Sequence, residues 1–194
     1  MSISKQFWDK RYEDSNIGWD LGQVSPPLKS YLDQLKDKSI HILIPGAGRA
    51  HEAAYLLNKG FRNITLLDIS HAAIEAATTL YPELKPYFVE RNFFQHAGRY
   101  DLILEQTFFC ALDPVLRSKY VSKMAQLLSD DGLLVGLLFN TRFEDDGPPF
   151  GGVKADYQKL FPPQLKFELL EVCYNSIPPR QGNELFFIAR KQNN

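Results

Sequence analysis

An α/β fold built on a doubly wound, mostly parallel sheet is predicted by three features of the sequence. Short apolar runs without charge, such as residues 40–44 and 64–67, suit parallel strands buried on both faces. Stretches with apolar residues at helical spacing follow them, which gives the alternation of strand and helix that a parallel sheet requires. At the first of these junctions Gly46 and Gly48 interrupt the chain, and Asp68 closes the next strand twenty residues after Gly48. Glycines there let the backbone turn tightly and approach a ligand, and an acid at that distance is placed to accept ribose hydroxyls.

The elements follow in order. Trp8 and Tyr12 are four residues apart, on one face of a helix in residues 1–24, and Asn16-Ile17-Gly18 turns the chain toward Trp19. This segment either docks an aromatic face on the core or covers a ligand. Ser25-Pro26-Pro27 opens a second helix with Leu28, Tyr31, Leu32 and Leu35 as its apolar stripe. After the strand at residues 40–44, a helix carrying Ala53, Leu56 and Leu57 ends at Gly60. Ser70 caps a helix from His71 to about Leu80, Pro82 stops it, and residues 87–89 form a third strand. Residues 100–104 are a fourth strand, and the helix after Pro114 is expected to be the longest. Ser129 to Gly132 reads as a turn, and residues 133–139 as a fifth strand. The proline-rich segment TRFEDDGPPFGG has no pattern of its own, and such loops commonly carry function. A short helix at residues 154–160 and two antiparallel strands, at 167–174 and 184–190, complete the chain.

Composition narrows the function. With 194 residues, 44% of them hydrophobic, the chain is expected to form a single domain. A net charge of -1 gives no basic excess for nucleic acid or for an anionic membrane, so the expected partner is a small molecule and the expected state a monomer. Cys110 and Cys173 suggest neither a disulfide framework nor a metal site, and the four histidines are scattered singly. The opening MSISKQFWDK lacks the apolar core of a signal peptide, and the longest apolar run, residues 133–139, is far below membrane-spanning length. The expectation is a cytoplasmic protein.

The glycine turn is incomplete as a dinucleotide site. In G-x-G-x-x-G the third glycine falls on His51, and a lysine and serine for phosphate are missing. A ligand with adenine and ribose but no phosphate fits better, and S-adenosyl-L-methionine (SAM) is the candidate cofactor. It would place its amino-acid end at the glycine turn, its ribose on Asp68, and its adenine near Asn92 and Phe93. Each position also has a structural reading: a tight turn for Gly46 and Gly48, a helix cap for Asp68, a core residue for Phe93.

The set FWDKRY, GWDLGQVSP, LIPGAG, LLDIS, YDLILEQTFFCALDP and DDGPPFGG, in this order, resembles the thiopurine methyltransferase-like family, and within it most closely the halide and thiol methyltransferases. The resemblance implies a Rossmann-like class I methyltransferase sheet of seven strands, the last antiparallel. It divides residues 1–194 into an N-terminal helical lid, 1–36, and a core, 39–194. It further implies SAM contacts at Trp8, Tyr12, Trp19, Gly46, Gly48, Asp68, Asn92, Phe93 and Gln106, with S-adenosyl-L-homocysteine as product. The acceptor would lie near Trp19, Phe109, Pro149 and Phe150. The thiopurine branch has arginine at Gln106, aspartate at Glu105 and glutamate at Asp68, which makes a thiopurine acceptor less expected here. The halide and thiol branch has an acid and then an aromatic residue at 105 and 106; Asp68, Trp19-Asp20 and the FFCA run favour it, whereas Gln106 fits neither branch.

The implied reaction is methyl transfer to a thiol, bisulfide or halide. Thiopurines, selenium or tellurium compounds, oxygen or nitrogen acceptors, and SAM binding without turnover are the alternatives. Transfer to a soft nucleophile requires mainly in-line positioning in a dry pocket. A thiol must lose its proton, and Tyr12 and Arg142 are the candidates for stabilising the thiolate; no general base is assigned.

Overall fold

The computed structural model describes residues 3–144 and 146–192. Seven strands follow the order β3-β2-β1-β4-β5-β7-β6. The chain divides into two compact units, residues 1–96 and 97–194.

In the first unit, α1 (Lys5–Glu13) and α2 (Pro26–Leu32) precede a parallel set, β1 (Ile42–Pro45), β2 (Ile64–Asp68) and β3 (Phe88–Glu90). β1 is buried along its whole length, as expected of a strand covered on both faces. It begins at Ile42 rather than Ile40, because His41 is exposed. α3 (His51–Asn58) ends as its sequence directs. Gly60 takes φ +91, Gly60 N donates to Leu57 O, and Phe61 N donates to Leu56 O. These are the two bonds of a Schellman motif, and Phe61 beyond them is fully buried. α4 (His71–Leu80) starts at the expected cap, where Ser70 Oγ accepts from Ala73 N at 3.1 Å. Pro82 does end α4, but the chain continues as a 3-10 segment, Pro82–Tyr87, which buries Leu84.

In the second unit, β4 (Tyr100–Glu105) runs parallel to β5 (Leu128–Phe139), and β7 (Glu184–Lys191) lies antiparallel between β5 and β6 (Leu165–Val172). The reversed last strand is the one expected. α5 (Arg117–Leu127) buries Tyr120, Val121, Met124 and Leu127, and α6 (Lys154–Leu160) buries Tyr157.

One expectation is corrected here. Residues 129–132 are not a turn before a strand; they belong to β5, whose pairing shifts from Tyr100↔Leu128 to Leu102↔Leu133. Neighbouring side chains satisfy the irregular backbone. Ser129 Oγ lies 3.0 Å from Tyr100 O and 2.8 Å from Asp101 Oδ1, and Arg190 donates to Asp131 O at 2.8 Å. Asp131 takes φ +61, so a turn-like composition is absorbed as a bulge inside a continuous strand. The described residues of the segment 141–152 are irregular as expected, tied at their base by the Thr141↔Gly152 bridge. No helix among the described residues is long and apolar enough to cross a membrane.

Gly136 on β5 pairs with Glu105 on β4, and a Cβ there would lie 2.2 Å from Glu105 O and 2.4 Å from Glu105 Cβ. Both obstacles belong to the strand itself and cannot swing away. Gly136→Ala is therefore expected to lose about 3 kcal/mol or more of unfolding free energy, the upper range of overpacking effects. Gly147→Ala, at a position with nothing within 4 Å, should stay within about 0.5 kcal/mol. Urea unfolding of the two variants checks the pair, and equal midpoints would refute it.

Candidate functional site

The first unit carries the glycine turn. Gly46, Gly48 and Ala50 take φ of +59, +53 and +57, which reverses the chain between β1 and the start of α3. Gly48 N donates to Asp68 Oδ2 at 2.9 Å, and Ser70 N donates to Asp68 Oδ1 at 2.9 Å. Asp68 thus joins the exits of β1 and β2 through backbone groups. Burial pushes its carboxyl above the usual carboxylate range, and the backbone N–H groups oppose that rise without cancelling it. An ionised carboxylate has about four acceptor positions. With Gly48 N and Ser70 N bound and Ile69 N also directed at the carboxylate, Asp68 retains acceptor capacity for a ribose hydroxyl. The residues present therefore fit SAM.

The aromatic residues of the N-terminal segment meet above this turn. Trp19 packs edge-on against Trp8 and Tyr12, with ring centroids 5.5 and 5.9 Å apart. A Cβ at Gly48 would meet the Tyr12 hydroxyl at 2.9 Å, so a side chain there would displace Tyr12 and would be strained at φ +53. Burial, and then the nearby Asp68 charge, push the Tyr12 phenol far above its ordinary value. Tyr12 is accordingly a protonated donor at neutral pH and not a base.

α1 has no fully buried residue, and polar contacts hold it together with this aromatic packing. Asp9 Oδ1 accepts from Ser70 Oγ at 2.7 Å and from Ala72 N at 3.3 Å, while Lys5 bridges Asp9 and Glu90 at 3.2 and 3.0 Å. Beyond Trp19, Asp20 binds Arg49 at 3.1 Å and His51 Nε2 at 2.7 Å, and His51 Nδ1 is 2.9 Å from Tyr81 OH. The residue at the missing third glycine is therefore an anchor for the N-terminal segment. Asn92 and Phe93 follow β3. Asn92 Oδ1 caps the 3-10 turn Phe93–Gln95 by accepting from Phe94 N, and the Phe93 side chain is buried.

The second unit carries the exit of β4. Glu105 is fully buried; its Oε1 accepts from Phe108 N and Phe109 N, both at 2.8 Å, and its Oε2 accepts from Tyr120 OH at 2.5 Å. Thr107, inside this turn, takes φ +56. A β-branched residue is rarely found there, and such a conformation costs on the order of 1–3 kcal/mol. Gln106, half-buried, has an Oε1 shielded from solvent with no hydrogen-bond partner among the described residues.

Around this turn the Phe109 ring is buried between Tyr120 and Tyr157, with centroids at 5.0 and 5.8 Å. The Phe150 loop closes on it. Phe150 N donates to Cys110 O at 2.7 Å, and Arg117 donates to Phe150 O at 3.1 Å and Gly151 O at 2.8 Å while stacking 4.8 Å over the Phe109 ring. Pro149 is exposed, next to a cis peptide bond from Pro148. Arg142 is exposed and paired with Asp156 at 2.8 Å. Arg117 is thus the cation in contact with the loop, and the sequence reading missed it because its acceptors lie 33 and 34 residues away. Cys110 remains a protonated thiol, since burial pushes its pKa far up.

A glycine turn, a strand-end acid and an aromatic N-terminal segment on this sheet define a SAM-dependent class I methyltransferase. Solved structures agree on the fold. Magnesium protoporphyrin IX methyltransferase of Synechocystis PCC 6803 with bound SAM matches with TM-score 0.73 at 15% identity, covering 99% of this chain and 98% of that one. The 1,6-didemethyltoxoflavin-N1-methyltransferase of Burkholderia thailandensis matches with TM-score 0.68 at 19% identity, covering 98% and 88%. The thiopurine S-methyltransferase family profile matches residues 3–191, and the chain belongs to that family. Among relatives, a probable thiol methyltransferase 2 of Arabidopsis thaliana is 31% identical over 91% of this chain and 81% of its own length. Thiocyanate methyltransferase 1 of Brassica oleracea is 31% identical over 94% and 84%.

Burial without a cation pushes the Glu105 carboxyl from an ordinary 4.5 up to about 7, against the opposing hydrogen bonds of Tyr120, Phe109 and Phe108. The folded state holds this proton more tightly than the unfolded chain does. Its stabilising effect is complete below pH 4.5, declines as pH rises, and is lost above about 7. Relative to Glu105→Gln, which carries no charge, the wild type should lose about 3 kcal/mol of stability between pH 4.5 and 8. Urea midpoints measured across that range test this, and parallel curves for the two proteins would contradict it.

Proposed function

We propose that this protein transfers the SAM methyl group to a small sulfur nucleophile, a thiol or bisulfide, or to a halide, and that the whole chain acts as one methyltransferase domain with residues 1–36 as its lid. Asp68, Gly46 and Gly48 would hold the cofactor, with Trp8, Tyr12 and Trp19 covering it and Asn92, Phe93 and Gln106 bordering it. Bound there, SAM supplies an already activated methyl group. The chain's own residues have to orient it, exclude water and admit the acceptor.

One observation carries the choice of acceptor. The acids and bases at the two strand exits, Asp68 and Glu105, and His51 beside them, each hold structural partners. Both Asp68 oxygens hold backbone N–H groups, and both Glu105 oxygens hold donors. The two His51 nitrogens hold Asp20 and Tyr81, while Tyr12 and Cys110 stay protonated. An oxygen or nitrogen acceptor commonly needs a base to remove its proton. Bisulfide, a thiolate or a halide arrives as a competent nucleophile. The names of the Arabidopsis and Brassica relatives, which specify thiol and thiocyanate, support the same class. Glutamine at 106, where the thiopurine branch has arginine, argues against a thiopurine. A cytoplasmic monomer completes the reading, supported by Cys110 and Cys173 as free thiols.

The reaction is tested by incubating the protein with SAM and, separately, bisulfide, a small thiol, iodide and a thiopurine, and measuring methylated product and S-adenosylhomocysteine. Turnover with the sulfur compounds or iodide is expected. No product from any of them would defeat the proposal, and S-adenosylhomocysteine binding without turnover would point to a binding module. Asp68→Ala should weaken S-adenosylhomocysteine by about 1.5–3 kcal/mol, the loss of a charge-assisted hydrogen-bond pair, read by calorimetry. An unchanged affinity would place the ribose elsewhere.

A further inference from the structure

The exit of β4 contains an acid that the proposed reaction does not use. Glu105 is fully buried, and among the described residues no cation pairs with it; Phe108 N, Phe109 N and Tyr120 OH donate to it. Burying a carboxyl in this way is costly, and an apolar side chain of similar volume would serve stability better. Room for the acid is nonetheless made across the sheet by Gly136, where no Cβ fits. The two backbone donors on Oε1 lie three and four residues downstream, so the carboxylate acts on this turn as a capping side chain acts on a helix start. Between the acid and those donors stand Thr107, held at φ +56, and Gln106, whose shielded Oε1 has no partner among the described residues.

We infer that Glu105 is a positioning residue. By binding Phe108 N and Phe109 N it holds Thr107 in the left-handed conformation, and that turn fixes the direction in which the Gln106 amide is presented to the ligand. The inference rests on the reading that Gln106 borders the ligand. Its chemistry follows from the orphan atom: Gln106 Oε1 is a hydrogen-bond acceptor, so the group it meets is an N–H, O–H or S–H donor. In the proposed site the cofactor or a protonated acceptor supplies that donor, since a bare halide has none.

The test compares Glu105→Gln, which keeps an oxygen for the two N–H groups, with Glu105→Leu, which fills the space and offers none. Glu105→Asp, one methylene shorter and unable to reach both donors, replaces the leucine variant if that does not fold. Each is measured by kcat and KM with SAM and bisulfide, by S-adenosylhomocysteine calorimetry, and by the NMR resonances of the Thr107 backbone and the Gln106 side-chain amide. Glu105→Gln is expected to hold all of these near wild type, with affinity changed by no more than about twofold. Glu105→Leu should shift both resonances and weaken S-adenosylhomocysteine by about tenfold or more, roughly the effect of a lost hydrogen bond. Adding Gln106→Ala to Glu105→Leu should then cost little more, because the amide is already misdirected. Thr107→Gly, which adopts the turn without strain, should restore part of the loss. Unchanged resonances in Glu105→Leu, or losses that multiply independently in the double variant, overturn the inference. The resonances are read without ligand, so a wild-type protein with no turnover defeats the sulfur-acceptor reading while the turn is still judged on its own.

Discussion

Asp68 accepts from Gly48 N and Ser70 N, and through these two bonds a single carboxylate sets the glycine turn after β1 against the end of β2. Glu105 does the same at the end of β4 with Phe108 N and Phe109 N. In both, a carboxylate at the carboxyl end of a parallel strand is met by backbone donors instead of a cation. Burial raises both groups above their ordinary pKa. Backbone donors convert each of these side chains into a fixed loop geometry. The left-handed residues around them, Gly46, Gly48, Ala50 and Thr107, are the conformations these bonds impose.

This explains why the first unit was legible in the sequence and the second much less so. Between residues 40 and 68 every signal is local: an uncharged β-branched run, two glycines, a helical apolar stripe ended by Gly60, and an acid at a fixed distance. The structure honours each of them within about two residues. Glu105 offers no such local signal. Its burial depends on Gly136, in register on the next strand, and its second oxygen on Tyr120, in the helix between. Arg117 is hidden for the same reason, while Arg142, beside the proline-rich loop in sequence, faces solvent and Asp156. Residues 129–132 misled because Ser-Asp-Asp-Gly is good turn chemistry. Partners on β4 and β7, out of reach of any local reading, turned it into a bulge.

The N-terminal segment divides between the two readings open to it. Its aromatic residues do pack, but on one another, and no residue of α1 is fully buried. Its attachment is polar: Asp9 on the first turn of α4, Lys5 on Glu90, and Asp20 on Arg49 and His51. The partly exposed pairs of Lys5 among these contribute little each, on the order of 1 kcal/mol or less. A segment held by a few such contacts opens at lower free energy than one held by a hydrophobic face. On the proposed reading of this segment as a lid, such an attachment lets a ligand enter and leave. His51 serves this attachment where a dinucleotide site would need glycine for close packing, so the departure from the glycine pattern and the anchoring of the N-terminal segment have one physical origin.

The same commitment of polar groups bears on the chemistry. Asp68, Glu105 and His51 each hold structural partners, so these groups shape their turns. Under the proposed reaction such groups position a reactant, and a nucleophile that is charged from the start or ionises on its own near neutral pH matches them. At position 106 a neutral amide stands where the thiopurine branch has arginine, so it offers no charge to an anionic carboxylate, and its orphan oxygen accepts from whatever donor the bound ligands present.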